Sequence, residues 1–326
     1  MQDLKDKIID MVKDDLAAIE IALKQNLSPQ LDLVAKIAGH ILFSGGKRLR
    51  PLIAVLSAQI CGRDGDYVKT FSTIFEYLHA ATLLHDDLVD EATMRRGKPA
   101  AHLVWDNPSA VLVGDFLLAR ALSIAAATQQ PAVIEIIAQI TENMSQGEIH
   151  QLSRKGKLDL FEAEYMEIIR RKTAVLFQGA CRTSALIAEA PKEKEAALGE
   201  YGFNIGLAFQ MIDDLLDYTL DTHVLGKAVG ADLKEGKLTL PVIYALQAAD
   251  AKDRLVMEKI ITDKDFAVND FKSLIELLHK YGGITYTQKL AKDYIKKAKN
   301  TLAVFENSKP KKILMMIADY SLVRQA

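Results

Sequence analysis

Apolar residues recur at three- and four-residue spacing along almost the whole chain, and convincing strand alternation is scarce. That period belongs to helices that each bury one face. Breakers interrupt it at Pro29, Gly45-Gly46, Gly62 to Gly65, Gly97 to Pro99, Pro108, Pro131, Gly156, Pro191, Gly226 to Gly236, Pro241 and Gly282-Gly283. Between them the spacing predicts long helices over Asp66 to about Thr93, Asp159 to Ala188 and Lys192 to Asp221. No Ser/Gly-rich linker divides the 326 residues, and no repeat period is apparent. The expectation is a single all-α domain spanning 1–326.

Composition then removes several function classes. A formal net charge of −2 gives no support for a nucleic-acid partner. The opening MQDLKDKIIDMVKDDL mixes both charge signs and does not read as a signal peptide. The best apolar run, AVLVGDFLLARALSIAAA from Ala110, is interrupted by Asp115 and Arg120, so no integral membrane segment is expected. Cys61 and Cys181 are isolated in apolar context, which suits reduced core thiols in a cytoplasmic protein.

Two acidic clusters carry the chemistry. LLHDDLVD ends at Asp90, and MIDDLLD ends at Asp217. Asp86 and Asp90 share a helix face, as do Asp213 and Asp217, while Asp87 and Asp214 sit about 100° further round. Like charges four apart repel, and carboxylates among leucine, isoleucine and valine are costly without a counter-charge. Two such clusters therefore call for cations. All the candidate ligands are hard carboxylate oxygens, which favours magnesium over zinc or copper, with phosphate oxygens completing its shell. Two solvated acidic helix faces, or general acid–base work by paired carboxylates, are the competing readings.

Basic residues answer the acidic ones. Gly45-Gly46-Lys47-Arg48-Leu49-Arg50-Pro51 places three cations at a glycine-rich helix start, a natural cradle for a diphosphate. Met94-Arg95-Arg96-Gly97-Lys98-Pro99 follows the first acidic cluster, and arginine forks suit phosphate oxygens. Lys172-Thr173, Phe209-Gln210, Lys227 and Lys237 are further candidates. His79 stands two helical turns before Asp86, either facing the same cavity or packed in the core.

Taken in order, GGKRLRP, DDLVD followed by MRRGKP, KT, FQMIDDLLDY and GADLKEGKLTLP resemble the trans-type polyprenyl diphosphate synthases over nearly the whole chain. LLHDDLVDEATMRRGKPAAH and SAVLVGDFLLARA are most similar to the bacterial octaprenyl-type members. The resemblance implies an isoprenoid synthase-like all-α bundle around a central cavity, usually a homodimer, using Mg2+. It implies repeated condensation of an allylic diphosphate with isopentenyl diphosphate, by ionisation, condensation and elimination. By position, Lys47, Arg50, His79 and Arg96 would hold isopentenyl diphosphate. Arg95, Lys172, Thr173, Gln210, Lys227 and Lys237 would face the allylic substrate. Asp86, Asp90 and Asp213 would ligate magnesium directly, with Asp87, Asp214 and Asp217 helping through water or charge. Arg95, Lys172 and Lys227 would also neutralise the departing diphosphate. Met94 stands where the family often has glutamate, which alters the loop without removing a ligand.

Product length is expected to depend on Thr82, Ala81, Leu78 and Phe75, which precede Asp86 on its own helix. The small Ala81 and Thr82 leave a channel open, which points to a long product such as octaprenyl diphosphate, of the kind used for quinone side chains. A farnesyl or geranylgeranyl synthase, a class I terpene cyclase, a non-catalytic subunit of a heteromeric synthase and a structural metal-binding bundle are the alternatives. The basic residues argue against the cyclase, and intact acidic motifs argue against the non-catalytic subunit.

Overall fold

A computed structural model describes residues 2–219, 230–263 and 265–323. The expected all-α architecture is present. In chain order the first helices are α1 (Gln2–Leu27), α2 (Asp32–Leu42), α3 (Leu49–Ile60) and α4 (Asp66–Val89). A two-stranded hairpin follows, β1 (Met94–Arg95) and β2 (Lys98–Pro99), antiparallel with Arg95 opposite Lys98. Then come α5 (Ala101–Val104), α6 (Asn107–Ala127), α7 (Pro131–Arg154), α8 (Glu162–Ile169), α9 (Val175–Ile187) and α10 (Lys192–Thr219). Shorter helices over Ala231–Lys234, Leu240–Ala248, Ala251–Thr262 and Val268–Lys280 lead to Gly283–Thr301 and Lys309–Val323.

Local signals set the boundaries. The Asp106 carboxylate accepts the Ser109 N–H at 2.6 Å and caps α6, with Pro108 in the first turn where no donor is missed. Pro131 opens α7 in the same way. α4 stops at Val89, earlier than the spacing alone suggests, because Glu91 turns into the left-handed region at φ 52°. The expected helix over Asp159 to Ala188 is likewise shorter and divided. Asp159 is drawn to Arg154 at 2.9 Å, helix begins only at Glu162, and a π turn at Arg170–Ala174 separates α8 from α9. α10 follows its predicted course from Lys192, while Asp221 lies outside the described residues.

The core is one continuous apolar mass between α3, α4, α6, α9 and α10, with Phe71, Phe75, Tyr77, Phe177 and Tyr201 fully buried. The two buried tyrosine hydroxyls donate to backbone carbonyls, Tyr77 to Leu23 and Tyr201 to Leu314, both at 2.7 Å, so neither is a buried orphan. α6 is long and apolar enough to cross a membrane by length and composition. Its position is against α4 and α7 in the bundle, and its Arg120 donates to the Asn26 carbonyl at 2.7 and 3.0 Å. Both cysteines are free, and burial pushes the Cys61 thiol up to about 11 and the Cys181 thiol up to about 12.

Candidate active site

α4 and α10 present their acidic clusters to one cavity of ≈ 380 Å³, a size that suits a small-molecule site. His79, Thr82, Leu83, Asp86 and Asp90 line it from α4 at helical spacing, and Phe209, Gln210 and Asp213 line it from α10. Arg50, Arg95, Lys172, Thr173, Leu176 and Lys237 complete the wall.

The charges are arranged unevenly. Asp87 is buried and takes the Arg95 guanidinium, with Nε at 2.7 Å and Nη2 closer still. Asp90 accepts from Lys155 at 2.7 Å and from Lys237 at 2.9 Å, one ammonium on each oxygen. Burial raises the Asp90 carboxyl, but the two ammoniums more than offset that and leave it below its ordinary value. Asp86 goes the other way. Burial pushes it up to about 6; Glu148 and Asp90 add to the rise, while Lys172 and Lys237 oppose it. In the second cluster, buried Asp214 accepts from the Tyr165 hydroxyl at 2.6 Å and from Gln210 at 2.7 Å. Asp217 accepts the backbone N–H groups of Ala231 and Asp232, each at 3.2 Å.

Lys172 and Thr173 owe their position to the π turn. An extra residue per turn widens the helix locally, a feature frequent at functional sites. Two glycines let neighbouring helices close on it. A Cβ at Gly147 would lie 2.9 Å from the Lys172 backbone nitrogen, and one at Gly206 would lie 2.6 Å from Ala174 Cα. The Lys172 ammonium reaches Glu148 at 2.5 Å and Gln151 at 2.7 Å, and the Thr173 hydroxyl donates to Gln210 at 2.6 Å.

The two basic segments meet at the hairpin. Arg96 and Gly97 occupy its turn at φ 51° and 75°, the positive pair that a tight two-residue hairpin requires. Their geometry sends Arg95 to Asp87, while Arg96 Nη1 donates to the Gly45 carbonyl at 2.6 Å. Gly46 keeps the loop close, since a Cβ there would lie 3.2 Å from Arg96 Nη1. Arg50 lays its guanidinium over the rings of Phe177 and Phe209, 4.9 and 5.9 Å from their centroids.

Arg48 departs from the expectation of three cations in one cradle. It is buried, donates to Glu20, to Glu76 at 2.6 Å and to the Leu42 carbonyl at 2.6 Å, and so ties α1, α2 and α4 together. His79 stands half-buried among arginines. Burial first, then the charges of Arg50, Arg96, Arg95 and Arg48, hold its pKa well below the ordinary value, so it is a neutral imidazole.

Of the residues singled out from the sequence, Asp86, Asp90, Asp213, Arg50, His79, Arg95, Lys172, Thr173, Gln210, Lys237 and Thr82 line the one cavity. Lys47 instead lines an adjoining apolar cavity of ≈ 340 Å³ that shares Phe209. Arg96 lies over the Gly45 loop, and Lys227 is outside the described residues. Ala81, Leu78 and Phe75 are buried in the core and are not among the cavity's lining residues. Ala81 lies about 140° round the helix from Asp86, which explains why it turns away from the cavity. Sequence reading passed over Glu148, Lys155 and Tyr165. Glu148, Gln151 and Lys155 recur at three- and four-residue spacing on α7, a polar stripe that was available as a signal.

Among the described residues, no three His, Cys, Asp or Glu side chains converge closely enough to enclose a metal ion by themselves. The donors do fit a hard divalent cation that brings further oxygens with it. Asp86 and Asp213 face one space from opposite helices, and a cation beside Asp86 would relieve the burial that raises its pKa.

The polyprenyl synthetase family profile matches residues 31–278. The chain is 35% identical to the octaprenyl diphosphate synthase of Escherichia coli over 319 residues, covering 98% of each protein. It is equally 35% identical to a short chain isoprenyl diphosphate synthase of Methanothermobacter thermautotrophicus, covering 90% of this chain and 91% of that one. A polyprenyl synthase from Caulobacter crescentus, solved with calcium and isoprenyl diphosphate, superposes with a TM-score of 0.91 at 39% identity, covering 98% of each chain. The sequence motifs, the facing acidic helices and these likenesses together place the chain in the polyprenyl synthetase family, whose members are prenyltransferases.

Proposed function

We propose that the protein condenses an allylic diphosphate with isopentenyl diphosphate repeatedly, with Mg2+, to give a long all-trans polyprenyl diphosphate of octaprenyl length, the product for which its Escherichia coli relative is named. The observation that carries this reading is one cavity lined by carboxylates from two helices and by Arg50, Arg95, Lys172 and Lys237. Asp86, Asp90 and Asp213 would hold the magnesium, which supplies charge neutralisation to the diphosphate when bound. Arg95, Lys172 and Lys237, which line the cavity, would hold the allylic diphosphate as its C–O bond lengthens. Lys227 joins them by sequence position. Such fixed charges cost no reorganisation at the moment of reaction. Arg50 and neutral His79 would hold isopentenyl diphosphate, with Lys47 reaching in from the adjoining cavity and Arg96 from the Gly45 loop. Leu83, Leu176, Met144 and Phe209 give the cavity apolar walls that keep water from the allylic cation.

Oligomerisation is part of the proposal. α6 leaves Val111, Leu112 and Leu122 exposed on an apolar helix, a face suited to a second copy of the chain.

The division between the two diphosphate sites is testable by kinetics with each substrate varied in turn. Arg95→Ala should raise KM mainly for the allylic substrate, and Arg96→Ala mainly for isopentenyl diphosphate, each by about tenfold or more. Equal effects of both changes on both substrates would contradict the assignment.

A further inference from the structure

We propose that Lys155 is a further binding residue for the diphosphate group, kept on Asp90 until a metal cation takes that carboxylate over. This rests on the reading that Asp90 helps to bind a metal–diphosphate pair.

Lys155 is where α7 ends. Its N–H still closes on the Leu152 carbonyl, but φ −55° and ψ 129° turn the chain out of the helix. Its ammonium lies 2.7 Å from one Asp90 oxygen, and that of Lys237, from a distant segment, lies 2.9 Å from the other. Asp90 alone does not hold the two lysines together. The Gly156 N–H donates to the Gly236 carbonyl at 2.8 Å, so the residues next to both lysines are clasped backbone to backbone. The clasp is tight, since a Cβ on Gly236 would lie 3.1 Å from Gly156 N.

Two ammoniums meet on Asp90, and that of Lys237 is shared with Glu235 at 2.5 Å, which leaves Lys155 as the ammonium that no second carboxylate draws on at that distance. Lys155, Lys172, Lys237 and Arg154 also line, with Asp214 and Asp232, a small cavity of ≈ 90 Å³ that shares Lys172, Gln210 and Lys237 with the main one. A divalent cation held by Asp90 would compete with the Lys155 ammonium for the charge of that carboxylate. The clasp fixes the backbone beside Lys155, so a released ammonium would stay within reach of the phosphate oxygens that complete the cation's shell. Exchange from carboxylate to diphosphate conserves an ion pair for Lys155 at each stage.

The two roles predict changes of different sign in Lys155→Met. The probes are Mn2+ alone, followed by electron paramagnetic resonance, and inorganic diphosphate at saturating Mn2+, followed by calorimetry. Removing the competing ammonium should tighten Mn2+ binding several-fold, while diphosphate binding weakens by about tenfold or more. Lys155→Arg should restore diphosphate affinity. Unchanged diphosphate affinity in Lys155→Met, with the parent binding normally, overturns the inference and leaves the functional reading standing. So does a parallel loss of both affinities with a lowered melting temperature, which marks a structural lysine. A parent protein that binds no diphosphate with Mn2+ overturns the functional reading and this inference together.

Discussion

Asp86 and Asp90 are one helical turn apart and chemically alike, yet their surroundings drive them in opposite directions. Asp90 has two lysines, whereas Asp86 has burial and two neighbouring acids, which raise it from 3.8 to about 6. For Asp86 the raised folded value means that protonation favours the folded state. That contribution is full below 3.8 and is lost as pH rises through about 6. At about 1.4 kcal/mol per pH unit, the ionised carboxylate costs the fold roughly 1–3 kcal/mol above that range. Asp86→Asn should therefore be more stable than the parent in chelator at pH 8, by about 1–3 kcal/mol, with the difference vanishing near pH 4. Urea denaturation across pH measures it; an Asn variant less stable at pH 8 would contradict the burial argument. The same variant should lose most of the stabilisation that added magnesium gives the parent. The acidic residues were legible in the sequence because charge inside an apolar helical stretch has few explanations. Arg48 was not separable from Arg50 on that basis, because only the left-handed turn at φ 48° sends one into the core and the other into the cavity.

At the scale of elements, helical periodicity found α4 and α10 well and the region between Asp159 and Ala188 less well. A π turn has no sequence period of its own, and its cause lies in neighbours. Gly206 on α10 and Gly147 on α7 let backbone approach backbone, which no local pattern announces. This yields a paired test on α10. Gly206→Ala brings Cβ to 2.6 Å from Ala174 Cα, so the π turn must shift. The cost should be about 1–3 kcal/mol of stability, accompanied by a raised KM for the allylic substrate through displaced Lys172 and Thr173. Gly199→Ala meets Arg182 only at 3.8 Å, an ordinary contact. It should stabilise by about 0.5–1 kcal/mol from helix propensity alone. Denaturation curves and steady-state kinetics on both variants check this; equal stabilisation by both would remove the close-approach account of the π turn.

For the molecule as a whole, the bundle brings segments from Arg50 to Lys237 around one cavity, and the question it poses is how far the growing chain can extend. Thr82 is the small residue that lines the cavity from α4, about 6 Å along the axis from Asp86. Thr82→Phe should keep the first condensation and shorten the product to farnesyl or geranylgeranyl length, read by chromatography of the dephosphorylated products. An unchanged product from an active variant would route the chain elsewhere. Relatives of equal identity make both long and short products, so sequence likeness leaves the parent's own product length to experiment. The most direct test incubates the parent with magnesium, farnesyl diphosphate and labelled isopentenyl diphosphate, and measures the chain length of the labelled product. The account predicts magnesium-dependent incorporation into a long all-trans polyprenyl diphosphate of octaprenyl length. No incorporation, or a product that stops at geranylgeranyl, would contradict it.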